Sequence, residues 1–334
     1  MNNFLQKEEK MKTIKRILLA VLVVFTFVVN AFPMEPQKEK KAIVLAQFGT
    51  SYPSALGALL NIQKEAQKAF PGVEVRMAFT SNMIRKIWHE RQNDKKFLGE
   101  NKDIPKEILY VKTPLATIAD LQNEGYNTII VQPTHIFQGE EYIDLASFLD
   151  GLNAIKTIKA KNMPFKKLVL GRPLLGSWGE KYPYHKDLEI AAGAVKADVE
   201  LARKNKAALV YMGHGNEHLS TGAYTEFQET LRRMYPETPV YIGVVEGFPS
   251  LDYVVSGLVR DRIRKVVLKP FMIVAGDHAT NDMAGDEDDS WKTTLKSKGI
   301  EVVTVIAGLG ENPEIGRIFV QHIKDVARDH QIGM

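Results

Sequence analysis

From Ala42 onward, short apolar runs alternate with helix-length amphipathic segments. The runs Ala42–Phe48, Val73–Phe79, Thr128–Pro133 and Leu168–Leu170 predict strands buried on both faces. Ser54–Ala69, Asn82–Arg91, Thr113–Glu124 and Glu140–Ile155 place apolar residues at helical spacing and predict helices. Strand and helix in regular alternation predict an α/β fold with a parallel sheet, because parallel neighbours need a crossover long enough to hold a helix.

The order then recurs. Ala42-Ile-Val-Leu-Ala-Gln-Phe-Gly49 parallels Ala207-Ala-Leu-Val-Tyr-Met-Gly213, and Val73–Phe79 parallels Val240–Glu246. Ile129-Ile-Val-Gln-Pro-Thr-His-Ile-Phe-Gln-Gly-Glu-Glu141 parallels Val266-Val-Leu-Lys-Pro-Phe-Met-Ile-Val-Ala-Gly-Asp-His278. The repeat predicts two pseudo-symmetric doubly wound parallel-sheet domains, 42–180 and 181–334, with a cleft between them. Tyr184–Arg203 reads as a helix crossing from one to the other, and Ile315–Ala327 as the closing helix.

Ahead of the repeat, Lys7, Lys10, Lys12, Lys15 and Arg16 precede an apolar segment from Ile17 to Val29, which ends in Val29-Asn30-Ala31. A basic start, a short apolar centre and small residues describe a secretory signal peptide, removed after about Ala31. The apolar segment is too short for a hydrocarbon core that needs about 20 residues, so no stable membrane span is expected after cleavage. Residues 32–41, polar with two prolines, read as a spacer, and the expected location is the periplasm.

The leader changes how the charge is read. The whole chain of 334 residues has a formal charge of +4, but residues 1–31 hold five of the 44 basic and two of the 40 acidic residues. The remainder is close to neutral, which removes the electrostatic case for a nucleic-acid partner. With 45% hydrophobic residues the chain can bury a large core. It has no cysteine, which excludes disulfides, iron–sulfur clusters, thiolate zinc sites and a cysteine nucleophile.

Chemistry gathers in the second half. Leu209-Val210-Tyr211-Met212 stops in Gly213-His214-Gly215, a histidine between glycines at a predicted strand end. Ligands of open α/β sheets bind outside the carboxyl ends of the strands. Glu246 ends the next predicted strand and His278 follows the third, so three successive strand ends carry metal-capable side chains. Two imidazoles and a carboxylate suit Co, Ni, Fe or Zn and leave a coordination position open. One such residue alone reads as an ordinary polar loop residue or helix cap; the repeated placement points to a site. Aligned on the repeat, the first half has Thr50, Phe79 and Glu141 instead.

Met212-Gly-His-Gly215, Val245-Glu246, Val274-Ala-Gly-Asp-His-Ala279, Asn281-Asp-Met283, Asp289-Ser-Trp-Lys292 and Gly308-Leu-Gly-Glu-Asn-Pro313 resemble the anaerobic cobaltochelatases of cobalamin biosynthesis, the CbiK type. Phe48-Gly-Thr-Ser-Tyr52, Ala78-Phe-Thr-Ser81 and Thr134-His-Ile136 extend the likeness over nearly all of the chain after the leader. The resemblance implies a class II chelatase fold and ATP-independent insertion of a divalent metal, Co²⁺ first and Fe²⁺ or Ni²⁺ less selectively, into sirohydrochlorin. It also implies metal ligands at His214, Glu246 and His278. The leader departs from the cytoplasmic members of that pathway. It keeps open a periplasmic carrier of tetrapyrrole or metal, and a ferrochelatase acting on a porphyrin is a further alternative.

Insertion displaces two pyrrolic protons, and a neutral imidazole beside the ring can take one near pH 7. His214 is the expected base, because its glycine neighbours permit close approach to the macrocycle. Asp277 is the expected hydrogen-bond partner of a ligating imidazole. Arg85, Lys86 and Lys269 are candidates for the substrate's carboxylates, against a solvated surface role. His135 reads as a core or cleft-lining residue, with a second metal or a haem as alternatives. Asp286-Glu-Asp-Asp289 reads as a solvated loop, and Trp88, Trp178 and Trp291 as packing residues before stacking ones. No phosphate-cradling glycine pattern or serine nucleophile elbow is present, so no nucleotide is expected; the oligomeric state, a homo-oligomer included, stays open.

Overall fold

The structure is a computed structural model that describes residues 39–217 and 221–334, together with Met11. The expected leader and most of the expected spacer lie outside these residues. The first sheet contains β1 (Lys40–Gln47), β2 (Glu74–Phe79), β3 (Tyr126–Pro133) and β4 (Lys167–Leu170), parallel throughout and ordered β2-β1-β3-β4. The second contains β5 (Ala208–Gly215), β6 (Val240–Glu246), β7 (Lys265–Pro270) and β8 (Glu301–Thr304), parallel and ordered β6-β5-β7-β8. The orders are the same, so the repeat read from the residues is a repeat of topology.

The connections of the first half are α1 (Leu56–Ala69), α2 (Asn82–Arg91), α3 (Lys95–Glu100), α4 (Lys106–Leu109), α5 (Pro114–Asn123) and α6 (Glu140–Asn153). Those of the second are α7 (Tyr184–Ala194), α8 (Lys196–Lys204), α9 (Gly222–Met234), α10 (Leu251–Arg260), α11 (Trp291–Ser297) and α12 (Pro313–Asp329). Side chains that satisfy orphan amides set several starts: Ser81 accepts from the Ile84 amide at 3.3 Å and Thr113 from that of Ala116 at 2.9 Å, with Pro114 next in line. Ser250, Ser290 and Asn312 do the same for α10, α11 and α12.

Ile43, Leu45, Ile130, Leu209 and Val267 are fully buried, and each such side chain contributes about 1.5 to 3 kcal/mol of transfer free energy. These residues belong to one continuous core that draws on both halves. Two expectations need correction. β1 begins at Lys40, inside the predicted spacer. The crossing helix is two helices, α7 and α8, divided at Val195.

The closing helix expected at Ile315–Ala327 forms as part of α12. α12 packs against α1 and β3 of the first half although it follows β8 in the chain. Asn61 donates to the Gly310 carbonyl at 2.9 Å, and a Cβ on Gly310 would lie 2.7 Å from the Ala58 carbonyl oxygen. The boundary at 180/181 therefore separates the two sheets but not the helical layers, and Lys40–Met334 behaves as one compact unit. A buried ionic cluster ties the crossing: Arg172 pairs with Asp187 of α7 at 2.7 Å and with Asp325 of α12 at 2.9 Å. Removing one partner would leave uncompensated buried charge. Among the described residues, no helix is long and apolar enough to cross a membrane.

Candidate active site

The loops after β5, β6 and β7 meet through interlocking glycines. Gly215 has φ +81°, and a Cβ there would sit 1.9 Å from the Glu246 carbonyl oxygen. A Cβ on Gly213 would sit 2.5 Å from the Tyr224 ring. Both glycines thus serve packing: one admits the neighbouring strand's backbone, the other the Tyr224 ring. Gly247, with φ +88°, lies against the Asn216 carbonyl, and the Asn216 amide donates to the Glu246 carbonyl at 2.9 Å. The backbones that carry His214 and Glu246 are thus packed directly against each other and hydrogen-bonded.

His214 Nδ1 lies 3.9 Å from Glu246 Oε2, and the His214 and His278 rings meet edge to face with centroids 4.9 Å apart. All three side chains are partly exposed, His214 at 33%, Glu246 at 39% and His278 at 37%. The expected trio is thus assembled around His214. Among the described residues, however, no three His, Asp or Glu side chains are already arranged as a ligand set. His278 Nδ1 lies 2.5 Å from Asp282 Oδ2, which leaves Nε2 as the nitrogen free for another partner. Asp282, not Asp277, is the partner of this imidazole. The signal for it was present: residues four apart on a helical turn face each other, and 279–283 is such a turn, wound in π fashion. Asp277 instead accepts from the Tyr52 hydroxyl at 2.7 Å and from the Asn281 amide at 2.9 Å.

Strand register revises the comparison with the first half. Val44 pairs with Val131 and Val210 with Leu268, the matching positions of the repeated strand. Counting forward, the counterpart of His214 is Phe48, and Gly49, with φ +99°, matches Gly215. Gln47 pairs with Phe79 and Gly213 with Val244, so Ser81 is the counterpart of Glu246. The expected equivalents came from aligning Gly49 with Gly213, which gave Thr50, and Val73–Phe79 with Val240–Glu246, which gave Phe79. Phe48 and His214 face each other across the halves with ring centroids 6.3 Å apart.

The candidate carboxylate binders divide. Arg85 is buried and donates to the carbonyls of Phe79 at 2.7 Å and Thr80 at 3.1 Å, closing the end of β2; burial lowers its pKa. Lys269 is mostly buried in an ion pair with Asp198 at 2.6 Å, which also accepts from the Tyr211 hydroxyl. Lys86 is exposed, 4.0 Å from Glu90. It lines a depression of about 650 Å³ with Arg85, His89 and Lys112 that contains none of the strand-end trio. His135 follows β3, and both its ring nitrogens are buried without a hydrogen-bond partner, although the residue as a whole is only half-buried. Burial pushes its pKa down to about 4, so the ring is neutral near pH 7. Trp88 and Trp291 are core residues and Trp178 is exposed.

The chain thus has two α/β lobes, with imidazoles and a carboxylate brought together at the strand ends of the second. The family described as Cobalt chelatase (CbiK) matches residues 41–328, and the chain belongs to it. It is 32% identical over 288 residues to the sirohydrochlorin cobaltochelatase of Salmonella typhimurium, covering 85% of this chain and 95% of that one. It is 30% identical over 294 residues to the sirohydrochlorin cobaltochelatase CbiKC of Nitratidesulfovibrio vulgaris, covering 87% and 93%. Among solved structures, the sirohydrochlorin chelatase SirB of Bacillus subtilis subspecies spizizenii, in complex with cobalt, aligns with a TM-score of 0.52 at 14% identity, over 87% of this chain and 97% of that one. That likeness speaks to the fold alone.

Proposed function

We propose that the protein inserts Co²⁺, and less selectively Fe²⁺ or Ni²⁺, into sirohydrochlorin without ATP. The observation that carries this reading is the meeting of His214, Glu246 and His278 at three strand ends, opposite Phe48 of the other half. The names of the two relatives supply the substrate class. Glu246 and the free Nε2 of His278 receive the incoming metal, and His214 takes a proton from a pyrrolic nitrogen as the metal replaces it. Partial exposure of all three lets a substrate metal enter and leave, which a closed four-ligand site would prevent. Phe48 presents an apolar face that suits a flat macrocycle.

The leader pattern supports export to the periplasm, to be checked by N-terminal sequencing of the native protein; an intact residue 1 would refute cleavage. Export also favours a second reading, a carrier that holds the tetrapyrrole without metallating it. The deciding experiment mixes mature protein anaerobically with sirohydrochlorin and Co²⁺ and follows the absorption of the metallated product. A rate above the protein-free control supports the enzyme; tight binding of the macrocycle with no added rate supports the carrier. Running protoporphyrin in parallel tests the ferrochelatase alternative.

A further inference from the structure

Where the two halves meet, the loop after β1 touches the loop that carries His278. The first loop is anchored within its own half. The Trp88 indole donates to the Thr50 carbonyl at 2.7 Å, Arg91 donates to the Ser51 carbonyl at 2.6 Å, and the Tyr52 amide donates to Thr50 Oγ1 at 3.1 Å. The second loop is anchored in the other half, since Leu309 and Gly310 donate backbone amides to the Met272 and Ile273 carbonyls. A Cβ on Gly276 would come within 3.2 Å of Thr50 Oγ1, so the loops are in direct contact. Tyr52 completes the junction by donating its hydroxyl to Asp277 Oδ1 at 2.7 Å. That hydrogen bond is the foremost reason the Tyr52 phenol titrates above its ordinary value, with desolvation and the Asp277 charge acting in the same direction.

We infer that Tyr52 is a positioning residue for metal insertion, acting through Asp277 to hold the His278 loop against the opposite wall of the cleft. The inference rests on the chelatase reading above. Asp277 is covalently next to His278, and its other contact, Asn281, lies in the same turn as Asp282, which holds the His278 ring. One hydroxyl from the first half therefore braces the whole turn. A macrocycle gripped between the walls draws its affinity from a large area and is little affected by this contact. The distance between His278 and a ring nitrogen is affected, and rates are far more sensitive than affinities to misplacement of about 1 Å.

The test compares Tyr52→Phe, Asp277→Ala, Asp277→Asn and the Tyr52→Phe/Asp277→Ala pair in the anaerobic Co²⁺ assay with sirohydrochlorin. Melting temperatures are measured alongside. Tyr52→Phe and Asp277→Ala are expected to lower kcat about 5- to 10-fold, with the tetrapyrrole KM changed less than about 2-fold. Asp277→Asn, which keeps an acceptor oxygen, is expected to retain most of the rate, and the double variant to be no worse than either single one. A kcat within about 2-fold of wild type for Tyr52→Phe, or a change confined to KM, would overturn the inference. Wild-type protein without activity would refute the chelatase reading itself, an outcome distinct from failure of the brace.

Discussion

The two halves share strand order, left-handed glycines at matching strand ends and a buried apolar core, yet differ where a strand runs out into the cleft. The first half ends β1 with Phe48 and follows β2 with Ser81, whose hydroxyl is spent on capping α2. The second half has His214 and Glu246 in those places, 3.9 Å apart and partly exposed. One scaffold thus supplies an apolar wall on one side and a polar, metal-capable wall on the other. The scaffold's own requirements, the tight glycines and the strand core, are indifferent to that choice.

The comparison is broken most directly by copying the first half into the second. His214→Phe reproduces Phe48 and fits a partly exposed site, so the fold should survive. The insertion rate should fall by at least about 100-fold, since a positioned base contributes about 10² to 10⁴. A rate within about 10-fold of wild type would remove His214 from the chemistry. The next effect belongs to Asp282. Its carboxylate fixes the His278 ring through Nδ1, and partners of this kind are worth about 10- to 100-fold in metal affinity or activity. Asp282→Ala should raise the Co²⁺ KM about 10-fold with little change in melting temperature; an unaltered KM would mean that His278 needs no such support.

How far the residues alone revealed this arrangement depended on spacing. Strand runs and the repeat were legible because buried parallel strands are continuously apolar, and Asn82–Arg91, read from its helical spacing, forms over those same residues. His214 and Glu246 stood out as candidates because each ends an apolar strand run, and His278, in the loop beyond β7, stood out through the repeat. α3 and α4 were not legible, being too short to show a periodic face. The fates of Arg85 and Lys269 were not legible either: a cation's sequence neighbours do not show that it faces strand-end carbonyls or Asp198. The equivalence of Phe48 with His214 needed hydrogen-bond register, since glycine matching alone misplaced it. Tyr52–Asp277 joins residues 225 apart, beyond any local pattern.

A third test uses a contrast in the loops after β3 and β7. His135 follows β3, while the matching residue after β7 is Met272, which does not titrate. With the His135 pKa pushed down to about 4 from an ordinary 6.5, the unfolded chain binds a proton that the folded chain refuses. Above pH 6.5 both states are neutral at this residue and it makes no pH-dependent contribution. As the pH falls from 6.5 towards 4 it becomes progressively destabilising, by about 3 kcal/mol at the lower end. His135→Met should flatten the fall of melting temperature across that window. The same slope in both proteins would show that the ring is protonated or partnered in the folded state.

The smallest effects separate two lysines that composition treats alike. Lys269 sits on β7 where the first half has Gln132, and its ammonium is committed to Asp198 in a mostly buried pair. Lys269→Gln should therefore cost about 2 kcal/mol of stability, because Asp198 loses its cation while keeping only the Tyr211 hydroxyl. It should leave the tetrapyrrole KM unchanged. Lys86 is 78% exposed, and its 4.0 Å approach to Glu90 contributes little to the fold. If it meets a substrate carboxylate, Lys86→Gln raises KM about 2-fold at low ionic strength, and the difference disappears near 1 M salt, where screening acts within about 3 Å. A KM shift in the Lys269 variant with none in the Lys86 variant would reverse the assignment. It would mean that the Lys269–Asp198 pair opens when substrate binds.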